Sequence, residues 1–384
     1  MNWKDSSYFE QTEQLFTQFD IDLNHGFIPA KAPLQTLSSD FFIWEELAGQ
    51  FSDLLNTGQF RRFARRIPVV KTNPLSSTEE LERAMLLLSC FAHGYVWENG
   101  EEIKEIPAGI AVPWVKVANR LGRPPIITHA SLVLNNWKKI DPQGPGIPEN
   151  LAPVMQFHGG QDEAWFYMLT VAMEFLGGEL ARKILLLYLA AEKEDLETVE
   201  TALKGLSGLI QDLRVLLARM PERCDPYIFY HRVRPFLSSF REVRYHGVKE
   251  NPVRSYDGGS AAQSSMIQAL DAVLKVNHEN DHSRNFLEKM RKHMPPAHAR
   301  FIAFLEEESQ IRQIIKRHPS VKEIFYECLD QLAGFRTDHL RVVSQYIMNQ
   351  SGKVGPGNTG TGGTNPMIFL KQVQKDTLQG KKTL

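Results

Sequence analysis

Cysteine is scarce in this chain. Cys90, Cys224 and Cys328 are three residues in 384, far apart and without a Cys-x-x-Cys pair. That argues against a disulfide framework and against a thiolate zinc site. An excess of one charge is missing too: 44 basic and 45 acidic residues leave a formal net charge of -1. Bulk attraction to nucleic acid is therefore excluded, and no nucleic-acid partner is expected. Long apolar runs are absent. The longest, residues 184–191, is less than half of the ~20 residues that a bilayer span requires. Residues 1–20 mix Lys, Asp, Glu and Gln and have no signal-peptide apolar region. A cytoplasmic protein with no membrane partner is the expectation. There is also no P-loop, no Gly-x-Gly-x-x-Gly after a strand, no His-Glu-x-x-His and no Gly-x-Ser-x-Gly.

What is present is helical. Hydrophobic residues make up 42% and charged residues 23%, as in an ordinary globular protein. The length allows two or three domains. Residues 81–97 are apolar-rich. Residues 163–191 carry Phe166, Leu169, Met173, Leu176, Leu180, Ile184 and Leu187 at three- and four-residue spacing, a buried stripe that Gly177-Gly178 is expected to interrupt. Residues 196–220 and 321–347 repeat the pattern. Alternating strand patterns are scarce, so the expected fold class is all-α. The turn-rich stretch 141–148 predicts a boundary between a smaller, mainly α N-terminal domain, 1–145, and a larger helical domain, 146–384. Residues 350–364 are rich in Gly, Ser and Thr and read either as a mobile functional loop or as a floppy tail.

Polar residues interrupt the apolar pattern in three places. The inner stripe of 321–347 reads Phe325, Cys328, Leu332, Phe335, His339, Val342 and Tyr346. An imidazole there must find a partner, because an unpaired buried polar group costs ~1–3 kcal/mol. His339 is either a core histidine bonded to a carbonyl or a metal or haem-iron ligand. Asp271 falls on the inner stripe Ile267, Leu270, Asp271 and Leu274, and it needs a cation or donor. Arg336, three residues before His339, can supply one. The pair is an ordinary ion pair or the support that orients a ligating imidazole. Arg234 follows an N-cap and first-turn proline, Asp225-Pro226, among Phe229, Tyr230 and Phe236, and it precedes Pro235, which should end or kink the helix. It either grips a carboxylate beside stacking rings or snorkels to water. His278 and His282 have metal-ligand spacing but read as part of a solvated turn. Arg61, Arg62, Arg65 and Arg66 make one turn of basic surface.

Over residues 107–377 these segments, in order, resemble the indoleamine 2,3-dioxygenase family of haem enzymes. The elements that carry the resemblance begin with Leu134-Asn-Asn-Trp-Lys-Lys-Ile-Asp-Pro142, then Phe166-Tyr167 with Thr170 and Glu174, and Phe229-Tyr-His-Arg-Val-Arg234. Gly258-Gly-Ser-Ala-Ala-Gln-Ser-Ser265, Met290-Arg-Lys-His-Met-Pro-Pro-Ala-His298, His339-Leu-Arg-Val-Val-Ser-Gln-Tyr-Ile347 and Gly360-Thr-Gly-Gly-Thr364 follow. The resemblance implies haem b in the large domain, with His339 as its proximal iron ligand and Asp271 and Arg336 as the supporting pair. It places Gly259, Ser260 and Ala261 against the haem edge. Thr170, Phe229 and Arg234 match the catalytic centre, where Phe229 stacks on an indole and Arg234 binds its carboxylate. Phe166 and Tyr167 match pocket aromatics, and segment 124–137, with His129 and Val133, matches the pocket wall. Ala261 also borders the substrate, and Thr361 meets its ammonium group from the glycine-rich loop. Three positions depart from the family. Thr170 stands where Ser is common, His129 where animal members tend to carry Tyr, and Leu132 where they carry Cys.

The activity so implied is insertion of both atoms of O2 into the indole C2–C3 bond of L-tryptophan, giving N-formylkynurenine. The implied partners are L-tryptophan or a related indoleamine, O2, and an electron donor that keeps the iron ferrous; a monomer is expected. Two other readings stay open here. One is a haem protein of the same fold acting on another indole or turning over tryptophan poorly. The other is a non-catalytic helical signalling protein.

Overall fold

A computed structural model describes residues 8–278, 280–350, 360–361 and 365–381. The fold is all-α, with a few short strands. The helices of the first part are α1 (Phe9–Gln18), α2 (Phe42–Asn56), α3 (Phe60–Ala64), α4 (Thr78–Trp97) and α5 (Ala108–Leu121). Then come α6 (Gln161–Glu192), α7 (Leu196–Ala218), the one-turn α8 (Pro226–Ile228), α9 (Ser265–Val273) and α10 (Asp281–Arg291). The last are α11 (Pro296–Glu308), α12 (Ile311–Arg317), α13 (Lys322–Val343) and α14 (Pro366–Gln379). The strands are β1 (Glu105–Ile106), β2 (Lys138–Lys139), β3 (Leu151–Ala152), β4 (Phe240–Tyr245) and β5 (Val253–Tyr256). β1 is parallel to β4 and β4 antiparallel to β5, whereas β2 and β3 form a two-stranded antiparallel ribbon around the turn-rich stretch 141–148. No helix among the described residues is long and apolar enough to cross a membrane.

Local chemistry accounts for the helix ends. Ser77 and Glu80 form a reciprocal capping box at the start of α4: the Glu80 N–H donates to Ser77 Oγ at 3.2 Å, and the Ser77 N–H donates to Glu80 Oε2 at 3.0 Å. Asp225 Oδ1 accepts from the N–H groups of Tyr227 and Ile228, and Pro226 follows it, as expected of an N-cap with proline at the first helical position. Pro235 does not itself end α8, which stops at Ile228; it stands at the second position of a later 3-10 turn. The chain passes from α8 through a wide π turn, Phe229–Val233, into the 3-10 turn Arg234–Leu237. The basic cluster after α2 is structural in part. Arg61 donates to the carbonyls of Tyr95 and Val96 at the end of α4.

α6 is the axis of the molecule, 32 residues long and thus roughly 48 Å at 1.5 Å per residue. Its first half, Trp165–Ala172, packs in a core with α2, α4 and α5. Its second half, Met173–Ala191, packs in another with α7, α9, α11 and α13 and with Phe16, Phe19 and Phe27 from the chain's start. The expected interruption at Gly177-Gly178 does not occur; the helix runs straight through. The glycines are there because the turn at residues 24–26 lies directly on the helix. A Cβ on Gly178 would sit 2.0 Å from the Asn24 carbonyl oxygen, and one on Gly26 would sit 2.5 Å from that of Gly177. Gly26 also has φ +66°, which suits glycine. The loop expected over 350–364 lies, except for Gln350, Gly360 and Thr361, outside the described residues.

Candidate functional site

Where the two cores meet, a cavity of about 300 Å³ opens between the middle of α6, the end of α13, α9 and α14. Three π turns border it: Ala130–Leu134, Phe229–Val233 and Ser344–Met348. Such wide turns cost hydrogen-bond geometry and turn side chains off the ordinary helical register, and they are found mostly at functional sites. Leu132 and Val133, Phe229, and Tyr346 and Ile347 reach the cavity from them.

Every residue that the family resemblance assigns to the haem or the substrate lines this one cavity, whereas His278, His282 and the arginine cluster at 61–66 do not. His129, Val133, Phe166, Tyr167 and Thr170 come from the first core. Phe229, Arg234, Gly259, Ser260, Ala261, Asp271, Arg336, His339 and Thr361 come from the rest of the chain. The Phe166 and Phe229 rings lie 4.7 Å apart, centre to centre, and Phe229 meets Tyr346 edge-on at 5.8 Å. Thr361 is pinned beside the glycine segment. Its Oγ1 donates to the Gly259 carbonyl at 2.5 Å, and its own carbonyl accepts from the Gly258 N–H at 3.0 Å and from Ser239 Oγ at 2.7 Å.

The polar exceptions on the helical stripes now have definite surroundings. The His339 ring makes no hydrogen bond among the described residues, and removal from water lowers its pKa to about 4. It is thus a neutral imidazole with a free lone pair at a cavity wall, not a core histidine bonded to a carbonyl. Neutral imidazole is the form that ligates a metal. No cluster of three or more His, Cys, Asp or Glu suited to a metal exists among the described residues. A porphyrin, however, brings its own four nitrogens and requires one protein ligand. An unpartnered imidazole on an apolar wall fits that requirement.

Asp271 and Arg336 pair in the same wall. Arg336 Nη2 donates to both carboxylate oxygens at 2.6 Å, and Arg336 Nη1 donates to the Val373 carbonyl of α14 at 3.2 Å. Burial alone would raise the Asp271 pKa, but Arg336 and His278 outweigh it and the pKa is lowered. His278 corrects the solvated-turn reading. Its ring sits between Asp376 Oδ2 at 3.1 Å and Asp271 Oδ2 at 3.4 Å. Burial works against its charged form, yet those two hydrogen bonds raise its pKa to about 9.

Arg234 does not snorkel to water. It is half-buried at the cavity, 5.2 Å above the Tyr230 ring, and loss of solvent lowers its pKa. Thr170 Oγ1 donates to the Phe166 carbonyl at 2.9 Å. Its proton is therefore spent within α6, and it offers the cavity lone pairs and a methyl rather than a donor. Sequence reasoning gave no role to Glu174, Ser264 or Gln268, which also line the cavity. Glu174 had a legible signal: it continues the Phe166, Thr170 series at four-residue spacing, a carboxylate on a face that is otherwise inward.

Comparison with known proteins agrees with this geometry. The family model described as Indoleamine 2,3-dioxygenase matches residues 15–380. Indoleamine 2,3-dioxygenase 1 of Mus musculus is 34% identical over 96% of both chains. Indoleamine 2,3-dioxygenase of Saccharomyces cerevisiae is 32% identical, over 94% of this chain and 92% of its own. Indoleamine 2,3-dioxygenase nanC of Aspergillus nanangensis is 32% identical, over 94% of this chain and 95% of its own. The similarity takes in nearly the whole chain, including the first hundred residues in which the motifs are sparse, and the chain belongs to the indoleamine 2,3-dioxygenase family of haem-dependent dioxygenases.

Proposed function

We propose that the substrate is L-tryptophan, cleaved at the indole C2–C3 bond with insertion of both atoms of O2 to give N-formylkynurenine. The observation that carries this reading is the convergence of a ligand-free imidazole, His339, with an aromatic pair, Phe166 and Phe229, and a cation, Arg234, in one cavity. Haem, held by His339 and flanked by Gly259, Ser260, Ala261, Asp271 and Arg336, supplies the dioxygen chemistry. Asp271 holds Arg336, which lies one turn before His339 on α13, and so steadies that part of the wall.

The protein's own part is binding, orientation and exclusion of water. Phe166 and Phe229 hold the indole flat, and Tyr167, Val133 and Ala261 complete the apolar enclosure. Arg234 takes the substrate carboxylate through charge-assisted hydrogen bonds. Thr361 Oγ1 donates to Gly259, so its lone pairs remain to accept from the substrate ammonium. Fixing both ends of the amino acid replaces a random encounter with an oriented one. No side chain is assigned as a base, and Thr170 shapes the wall. In this reading the chain works as a cytoplasmic monomer with an external electron donor. Its division is at 145/146.

The test is product analysis. The purified holoprotein, with reductant, air and L-tryptophan, should yield N-formylkynurenine carrying two atoms of 18O from labelled O2. A second reading, turnover of a different indole, is favoured by His129 and Leu132 on the pocket wall. It predicts little product from tryptophan and more from a ring-substituted analogue.

A further inference from the structure

The cavity has one polar corner that these roles leave unused. Glu174 is only 2% exposed. Its Oε1 accepts from Ser264 Oγ at 2.8 Å and lies 2.9 Å from His129 Nε2. Its Oε2 is buried and has no hydrogen-bond partner among the described residues. His129 is fixed from a second side, because its backbone N–H donates to Gln263 Oε1 at 2.9 Å. Since Glu174 Oε1 is an acceptor for Ser264, it is an acceptor for His129 as well. In the neutral tautomer that this geometry suits, Nε2 carries the proton and the lone pair stays on Nδ1. That nitrogen makes no hydrogen bond among the described residues, and His129 lines the cavity.

Buried polar groups cost free energy unless they are paired, so an open acceptor in an apolar wall requires an explanation. Glu174 lies on the face of α6 that carries Phe166 and Thr170 into the cavity, two turns along from the ring assigned to hold the indole. His129, held by Glu174, thus lines the same cavity as the Phe166 and Phe229 rings.

We propose that His129, oriented by Glu174 and Ser264, is a specificity-determining residue that accepts a hydrogen bond from a donor on the indole ring. Glu174 is a positioning residue: it sets the tautomer and the ring angle and touches no substrate. A site built to accept a hydrogen bond discriminates strongly against an analogue that lacks the donor, because its acceptor is then left unpaired. The donor is either the ring N–H or a ring hydroxyl. The proposal rests on the indole reading above and deepens it.

The experiment is calorimetric titration of the intact holoprotein with L-tryptophan, with tryptophan methylated on the ring nitrogen and with 5-hydroxytryptophan. The proteins compared are the wild type, His129→Phe, His129→Gln and Glu174→Gln. His129→Phe keeps the bulk and removes the acceptor. It should weaken binding of the donor-bearing ligand roughly tenfold, and His129→Gln should restore part of that loss. Binding of the methylated ligand should stay within about twofold in His129→Phe if the ring N–H is the donor. If the hydroxyl is the donor, the wild-type preference for 5-hydroxytryptophan should collapse instead. Glu174→Gln should lie between wild type and His129→Phe. If wild type and His129→Phe bind all three ligands equally, the assignment of His129 is overturned while the indole reading stands. If the wild type binds none of them, both fall.

Discussion

Two polar assemblies border the same cavity, and they differ in how completely their hydrogen bonds are used. In the first, Arg336, Asp271, His278 and Asp376 form a chain of alternating charge that ties α13 and α9 to α14, with Gln372 Nε2 donating to Asp376 Oδ1 at 2.7 Å. None of those four members has a buried side-chain nitrogen or oxygen left without a partner among the described residues. In the second, Ser264, Glu174 and His129, one carboxylate oxygen and one ring nitrogen are unused. His339 is open as well. A saturated network has nothing left to offer a ligand and serves as scaffold. An open one keeps its chemistry available to whatever fills the cavity.

This contrast can be broken in order of effect. Asp271→Ala leaves Arg336 and His278 buried beside a missing anion, and it should destabilise the fold by ~3–5 kcal/mol in urea denaturation. Glu174→Gln, in the open network, should cost about 1 kcal/mol or less by the same measurement. The reverse order would erase the distinction. Arg234→Ala should lower kcat/KM for L-tryptophan by ~2–3 kcal/mol in transition-state terms, with the denaturation midpoint little changed. Unaltered turnover would return Arg234 to the scaffold.

The scaffold also has a pH signature. The folded-state pKa of His278 is raised to about 9 from an ordinary 6.5. Its stabilising contribution is therefore complete below about pH 6.5 and is lost as pH rises through about 9. A shift of this size corresponds to roughly 3 kcal/mol, and the slope of stability over that window should vanish in His278→Gln. The smallest effect belongs to Thr361→Ala, which should raise KM several-fold, about 1 kcal/mol, and leave the haem spectrum unchanged.

The same contrast shows what was legible before the fold was known. His339, Asp271 and Arg234 stood out because each breaks an apolar stripe of fixed helical period, and periodicity survives in one dimension. The all-α class and the start of α8 followed from spacing and from the Asp225 cap with its proline. The paired glycines of α6 misled, because whether Gly178 breaks a helix or admits a neighbour depends on the Asn24 carbonyl, which is remote in sequence. His278 misled for a similar reason: the carboxylate of Asp376 that buries and charges it comes from the far end of the chain. The three π turns have no sequence signature of their own. They exist because tertiary packing around the cavity makes up for their poorer hydrogen bonds. The open valence of His129 is a property of its surroundings, visible only after Glu174 and Ser264 have been placed beside it.

The most direct test is haem content. Wild-type protein should carry one haem per chain with a strong Soret band, and His339→Ala should lose both. Imidazole added to that variant should restore haem binding by filling the space the side chain leaves. A His339→Ala protein that keeps its full haem complement, with an unchanged spectrum and without added imidazole, would contradict the account.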